Sequence, residues 1–238
     1  MKALKFLLAS SFLFLPCSAA LSFIFDDTGG VDQTEELDGG GVGASVMATS
    51  GTLTATLTTV DILFPEYDES SGTPVATGNI LSAATGEGGT TNIGGNQDSL
   101  GINHPTLNTG DWSALGGDGS ESADFNTGES WVFEFDVPIT FNEIEFEAAI
   151  TGNIFEVLVD GASIVSLNGP DEVVSGAGLG GLDGLTIPAG SDISFAASGP
   201  LANTSFRIES FNISVVPEPS SSLFLALGGL LLLARRWR

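Results

Sequence analysis

Along residues 130–216, apolar and polar positions alternate with a period of two. In SWVFEFDV, Trp131, Phe133, Phe135 and Val137 fall on one side, and Val132, Glu134 and Asp136 on the other. In FNEIEFEAAI, Ile144, Phe146, Ala148 and Ile150 alternate with Glu143, Glu145 and Glu147. Successive side chains of a strand point to opposite faces, so each stretch predicts a strand with one buried and one solvated face. IFEVLVDG turns Phe155, Val157 and Val159 inward and ends at Asp160-Gly161, a hairpin signal leading into a strand over 163–167. DISFAAS supplies a further strand. In SFRIESFNISVV, Phe206 and Ile208 hold one parity and Phe211, Ile213 and Val215 the other, which predicts a bulge near Glu209-Ser210.

The first half is less regular. Residues 21–25 and 52–62 read as strands, the second rich in Thr and Val. Between them, Gly-, Ser-, Thr- and Asp-rich stretches at 29–51, 66–99 and 104–129 read as loops. Several exceed ordinary connection lengths, which leaves room for short strands or a binding role. No stretch of 21–216 sustains a 3.6-residue period, so no helix is expected there. About ten strand segments with Gly-rich turns predict an all-β fold: a single antiparallel β-sandwich, jelly-roll-like.

The two ends differ from this body. MKALKFLLASSFLFLPCSAA has a basic start at Lys2 and Lys5, an apolar stretch and small residues Ser18 and Ala20 before a cut after Ala20, the layout of a secretory signal peptide over 1–20. The sole cysteine, Cys17, lies in this leader, and Pro16 before it departs from a lipoprotein pattern. A body cut after Ala20 therefore contains no thiol chemistry.

The charge is as uneven as the pattern. The chain has six Lys and Arg against thirty Asp and Glu. Residues 21–216 hold 29 acidic residues and one basic residue, Arg207, a formal charge of −28. Such a surface repels nucleic acid and anionic lipid, accommodates divalent cations and keeps an exported protein soluble.

Half of the basic residues stand in the last four positions, as Arg235, Arg236 and Arg238 around Trp237. Residues 220–234 before them carry no charge, and 223–234 are almost wholly aliphatic. A fifteen-residue helix reaches about 22 Å against a hydrocarbon core of about 30 Å, a deficit that snorkelling arginines and an interfacial Trp relieve. Basic residues resist translocation, so the arginines act as a stop and leave the acidic body outside. Pro217 and Pro219 make the segment just outside the membrane stiff and non-helical.

Pro217-Glu218-Pro219, a Ser-rich linker, a short Leu-rich helix with Gly228-Gly229 and the Arg cluster together resemble the PEP-CTERM protein-sorting signal of bacteria. The resemblance covers about the last two dozen residues, 217–238, and does not extend to the body. It implies recognition by an exosortase, a membrane-embedded cysteine protease, cleavage near Pro-Glu-Pro, and co-occurrence with exopolysaccharide production. The chain then divides into a leader (1–20), an extracellular domain (21–216) and a sorting signal (217–238), with the secretion machinery and exosortase as partners and a transient membrane anchor.

Candidate chemistry in the body is sparse. The one histidine, His104, has no nucleophile elbow to serve, and its count excludes a multi-histidine zinc site. GAGLGG matches G-x-G-x-x-G through Gly176, Gly178 and Gly181, but it opens no helix and has no nearby cation for phosphate. GGDGSESADFNTGES offers a structural calcium ion the hard oxygen ligands Asp118, Glu121, Asp124, Asn126 and Glu129; Ala123 at the sixth position excludes an EF-hand. A second acidic cluster has Glu66, Asp68 and Glu69.

Glu143, Glu145 and Glu147 share one strand face and Arg207 and Glu209 another, a solvated sheet face before it is a catalytic pair. Adjacent like charges there favour a bound cation or Arg207 lying opposite. Trp112 and Tyr67 are the loop aromatics that a glycan could stack on. The sequence thus predicts a non-enzymatic, structural or adhesive protein of the cell surface or exopolysaccharide matrix. A calcium-assisted carbohydrate-binding module and a carboxylate-dependent glycosidase stand as the alternatives.

Overall fold

The computed structural model describes residues 20–25, 37, 41–65, 67–68, 73–74, 80–82, 92–96, 99–103, 125–126, 128–147, 154–198 and 205–216. The helices expected in the leader and at the C-terminus both fall outside these residues. The chain divides into two units, Met1–Ser18 with Pro219–Arg238, and Ala19–Glu218, and every described residue belongs to the second. Among the described residues no helix is long and apolar enough to cross a membrane.

The described chain is mostly β and forms two large antiparallel sheets. Its strands are β1 (Ala20–Ile24), β2 (Ser45–Ser50), β3 (Leu53–Pro65), β4 (Tyr67–Asp68), β5 (Thr73–Pro74), β6 (Ile80–Ser82), β7 (Asn92–Asn96) and β8 (Ser99–Asn103). They continue with β9 (Phe125–Asn126), β10 (Ser130–Phe135), β11 (Ile139–Glu147), β12 (Ile154–Val159), β13 (Ala162–Asn168), β14 (Val173–Ser175), β15 (Ile193–Ser198) and β16 (Ser205–Val215). The first sheet runs β14-β11-β16-β8-β7, with β1 and β9 also paired to β16. The second runs β13-β12-β15-β10-β3-β2, with β6 also on β3. From β10 onward the chain alternates between sheets, β10 in the second, β11 in the first, the β12–β13 hairpin in the second, β14 in the first, β15 in the second and β16 in the first.

The alternation read from the sequence is the burial pattern of most of these strands; on β10, Ser130 and Val132 are buried as well. Trp131, Phe133, Phe135, Phe155, Val157, Ile193 and Phe195 are buried on the second sheet, and Phe23, Phe141, Ile144, Phe146, Phe206, Phe211 and Ile213 on the first. These residues belong to one core cluster. Its centre is aromatic. The Phe211 ring of β16 lies 5.8 Å from Phe195 of β15 and 6.1 Å from Phe133 of β10, and Phe155 of β12 lies 4.7 Å from Phe146 of β11. Most of these pairs meet edge to face, which sets the positive ring edge against the negative face.

Two local predictions are met in detail. The β12–β13 hairpin closes through Asp160 (φ 50) and Gly161 (φ 76), the doubly left-handed turn whose twist suits flanking strands. On β16, Ser210 pairs with Glu145 of β11 and Ile208 with Phe146, so Glu209 is the extra residue of a bulge. Ser210 and Phe211 are consequently both buried, and the inward parity switches there. A similar shift on β3 sets Asp61 opposite Val132 and Thr59 opposite Phe133, leaving Val60 as the extra residue.

Two expectations need correction, and one allowance is taken up. Stretch 29–51 is not all loop, because β2 occupies Ser45–Ser50 and closes a tight hairpin onto β3 through Gly51-Thr52. Its alternation is hidden because Val46 and Ala48 face the core between Ser45, Met47 and Thr49, and the inward pair is small. Stretches 66–99 and 104–129 use the room their length allowed for short strands, β4 to β7 with the start of β8 in the first and β9 in the second. Helix is not wholly absent either: Gly176–Leu182 is a 3₁₀ segment broken at Gly180 (φ 56), with Leu179 and Leu182 buried. A tight three-residue turn repeats too briefly to show a 3.6 period.

Candidate functional site

The best-defined polar constellation lies where β11 and β16 run side by side. Inward Phe141, Ile144, Phe146, Phe211 and Ile213 place Asn142, Glu143, Glu145, Ser210, Asn212 and Ser214 on the opposite face. The cross-strand register then pairs them. Asn212 Nδ2 donates to Glu143 Oε1 at 2.8 Å, and Ser210 Oγ donates to Glu145 Oε2 at 2.9 Å. Asn142 and Ser214 exchange hydrogen bonds at 3.0 and 3.2 Å. From the neighbouring β1, Ser22 Oγ donates to Asn212 Oδ1 at 2.5 Å. Arg207 stands opposite Glu147 in the register.

This ladder answers the charge question raised by the three glutamates. A neutral donor faces Glu143 and Glu145, and Arg207 stands across from Glu147 in the backbone register. Short donors opposite carboxylates offset part of the repulsion along β11. The sequence signal was the Ser210-x-Asn212-x-Ser214 alternation on β16, visible only once β11 is known to be its neighbour.

Of the residues read as calcium ligands, Asp118, Glu121 and Asp124 lie outside the described residues. Asn126 belongs to β9, opposite Ser205, and its side chain also lies outside them. Glu129 is described, and it is 1% exposed. Its main-chain oxygen accepts from Ala197 N at 3.0 Å, which ties the entry of β10 to β15. A carboxylate so deeply buried needs polar or cationic company, because desolvation without compensation costs several kcal/mol, of order 2–7 for a polar group and more for a charge. Among the described residues no group of three or more His, Cys, Asp or Glu is arranged to hold a metal.

Tyr67 pairs with Pro74 in the two-stranded β4–β5 ribbon, its side chain outside the described residues, as are Trp112, His104, Glu66 and Glu69. The sorting residues Pro217, Glu218, Pro219, Arg235, Arg236 and Arg238 also lie outside them. The described sheet reaches to their threshold: Val216 N donates to Pro138 O at 2.8 Å. At the other end, Ala20, the last residue before the expected leader cut, is the first of β1 and pairs with Ser214.

The glycine-rich match at 176–181 has a packing explanation. The 3₁₀ segment lies against the edge strand β13, and a Cβ on Gly181 would sit 2.5 Å from Ile164 O, closer than any real contact. Glycine there lets two backbones meet and shields part of a sheet edge. Beside it, a groove of about 390 Å³ runs along Leu167, Asn168, Pro170, Asp171 and Val173. Its lining carries one carboxylate and neither cation nor aromatic ring.

Comparison with protein-family models, with characterised proteins and with solved structures found no match.

Proposed function

We propose that this chain is an exported bacterial surface or exopolysaccharide-matrix protein, sorted through its C-terminus and cleaved there by an exosortase. Its body, in this reading, is a jelly-roll-like β-sandwich with a structural or adhesive role and no catalysis. One observation carries the proposal: the order Pro217-Glu218-Pro219, uncharged apolar run, Arg235-Arg236-Trp237-Arg238 at the end of a body with a formal charge of −28. A basic stop on one side and an anionic body on the other match a protein held with its body outside the membrane. The packing of two aromatic sheet faces into one core supports the sandwich.

Mass spectrometry of the cell-associated and released protein tests the sorting. The released form is expected to end near Pro217–Pro219 and to lack peptides from 223–238. Recovery of intact 223–238 peptides from all mature protein removes the processing. A structural calcium ion is a second element of the reading, and the close spacing of Asp118, Glu121, Asp124, Asn126 and Glu129 supports it.

A further inference from the structure

We infer that β1 is a stop for C-terminal processing: its pairing with Ser210–Ser214 on one edge of β16, with Val216 bonded to Pro138 on the other, keeps this backbone inside the sheet, so trimming of the tail ends at the Val216–Pro217 boundary. The identity of the protease rests on the sorting proposal above; the protection does not.

β16 is held along both edges. On one side β11 pairs with it from Arg207 to Val215. On the other, β9 takes Ser205 and Phe206, β8 takes Ile208, and β1 takes Ser210 to Ser214. Phe25 N donates to Glu209 O at 2.8 Å, which closes the stretch between β8 and β1. Past the end of β16, Val216 N is bonded to Pro138 O. Enzymes that grip an extended peptide use its main-chain N–H and C=O groups, and here those groups are engaged by neighbouring strands.

Prying β16 loose also withdraws Phe211, Ile213 and Val215 from the core. Phe211 alone packs on Phe23, Phe133, Phe141 and Phe195, with centroids 5.2 to 6.1 Å away. Opening this strand therefore costs much of the global stability, unlike fraying of an edge.

β1 is the element that makes the difference. Without it, the outer edge of Ser210–Ser214, the segment that leads into the tail, loses its pairing partner. Antiparallel pairing alternates, so the Phe25–Glu209 bond places the amides of Phe211 and Ile213 on the β1 side. The antiparallel register also sets Ala20 beside Ser214, so the boundary of the expected leader and that of the tail lie at the same end of one sheet.

The test uses the full-length protein, isolated in mild detergent and digested with proteinase K under native conditions, with intact masses read for the limit fragments. Fragments are expected to end at residue 216 or beyond; a wild-type fragment ending within 207–215 while the fold is retained overturns the inference. Phe23→Pro is expected to let trimming reach 210–214, and an unchanged limit in a folded variant overturns the role of β1.

Hydrogen exchange on the wild type keeps the question open to refutation if that variant does not fold. The Phe211 and Ile213 amides are expected to exchange about a thousandfold or more slower than a free chain, as core strands do. Unprotected amides there overturn the stop. If cells yield only protein intact to Arg238, the sorting proposal fails while the protease limit and the exchange still judge the inference.

Discussion

The indole Nε1–H of Trp131 donates to Thr59 Oγ1 at 3.1 Å across the β10–β3 pair, with both residues buried. The bulge at Val60 makes this contact, because it sets Thr59 opposite Phe133 while Trp131 pairs with Ile62. A threonine on the inner face of β3 would otherwise be a polar group among Ala55, Leu57 and Ile62. The pair satisfies two buried polar groups with one hydrogen bond.

Thr59→Val keeps the shape and leaves the indole N–H without its acceptor. The expected loss is about 1–3 kcal/mol, the cost of an unsatisfied buried donor. Thr59→Ser keeps the hydroxyl and is expected to lose less. Urea unfolding followed by tryptophan fluorescence measures both.

Gly181→Ala places a methyl group where Ile164 O already stands, at 2.5 Å. The 3₁₀ segment or β13 must move, at an expected cost of about 1–3 kcal/mol. Thermal unfolding followed by circular dichroism reads the change. A neutral result shows that the segment yields freely at this contact.

Asn212→Leu removes the donor to Glu143 and the acceptor of Ser22. The site is half-buried, so the expected loss is about 0.5–1.5 kcal/mol. Asn212→Asp sets like charges opposite one another and is expected to cost more at neutral pH. That repulsion raises the pKa of the introduced carboxyl in the folded state, so the folded variant binds the extra proton more readily and the deficit shrinks as pH falls toward about 4. Unfolding curves at pH 7 and pH 4.5 separate the two variants.

Saturating calcium is expected to raise the melting temperature, and EDTA to lower it, if Glu129 and the acidic stretch before it hold an ion. A ligand at a hundred times its Kd stabilises by about 2.7 kcal/mol. Glu129→Gln is expected to abolish the calcium response. No change in melting with calcium or EDTA in the wild type removes the ion from the reading.

Much of the second half of the fold was legible because aromatic and β-branched residues alternate within its strands. The Asp160-Gly161 turn and the Glu209 bulge both left a mark in the pattern, one as turn chemistry and one as a change of parity. β2 left little mark, since only Val46 and Ala48 face inward, and β14 is three residues long. The polar ladder was half legible. Its glutamates were visible on β11, but their donors lie sixty-odd positions away, Ser210 from Glu145 by 65 and Asn212 from Glu143 by 69.

By itself the sequence determined that the body is β-rich, strongly acidic, and bounded by two ends of opposite character, because periodicity and charge are local properties. Only the tertiary structure decided that Thr59 answers Trp131, that Gly181 lies against Ile164, and that β1 and β11 enclose β16. Each of those depends on which strands become neighbours and in what register, and a one-residue bulge such as Val60 or Glu209 is enough to change every pairing beyond it.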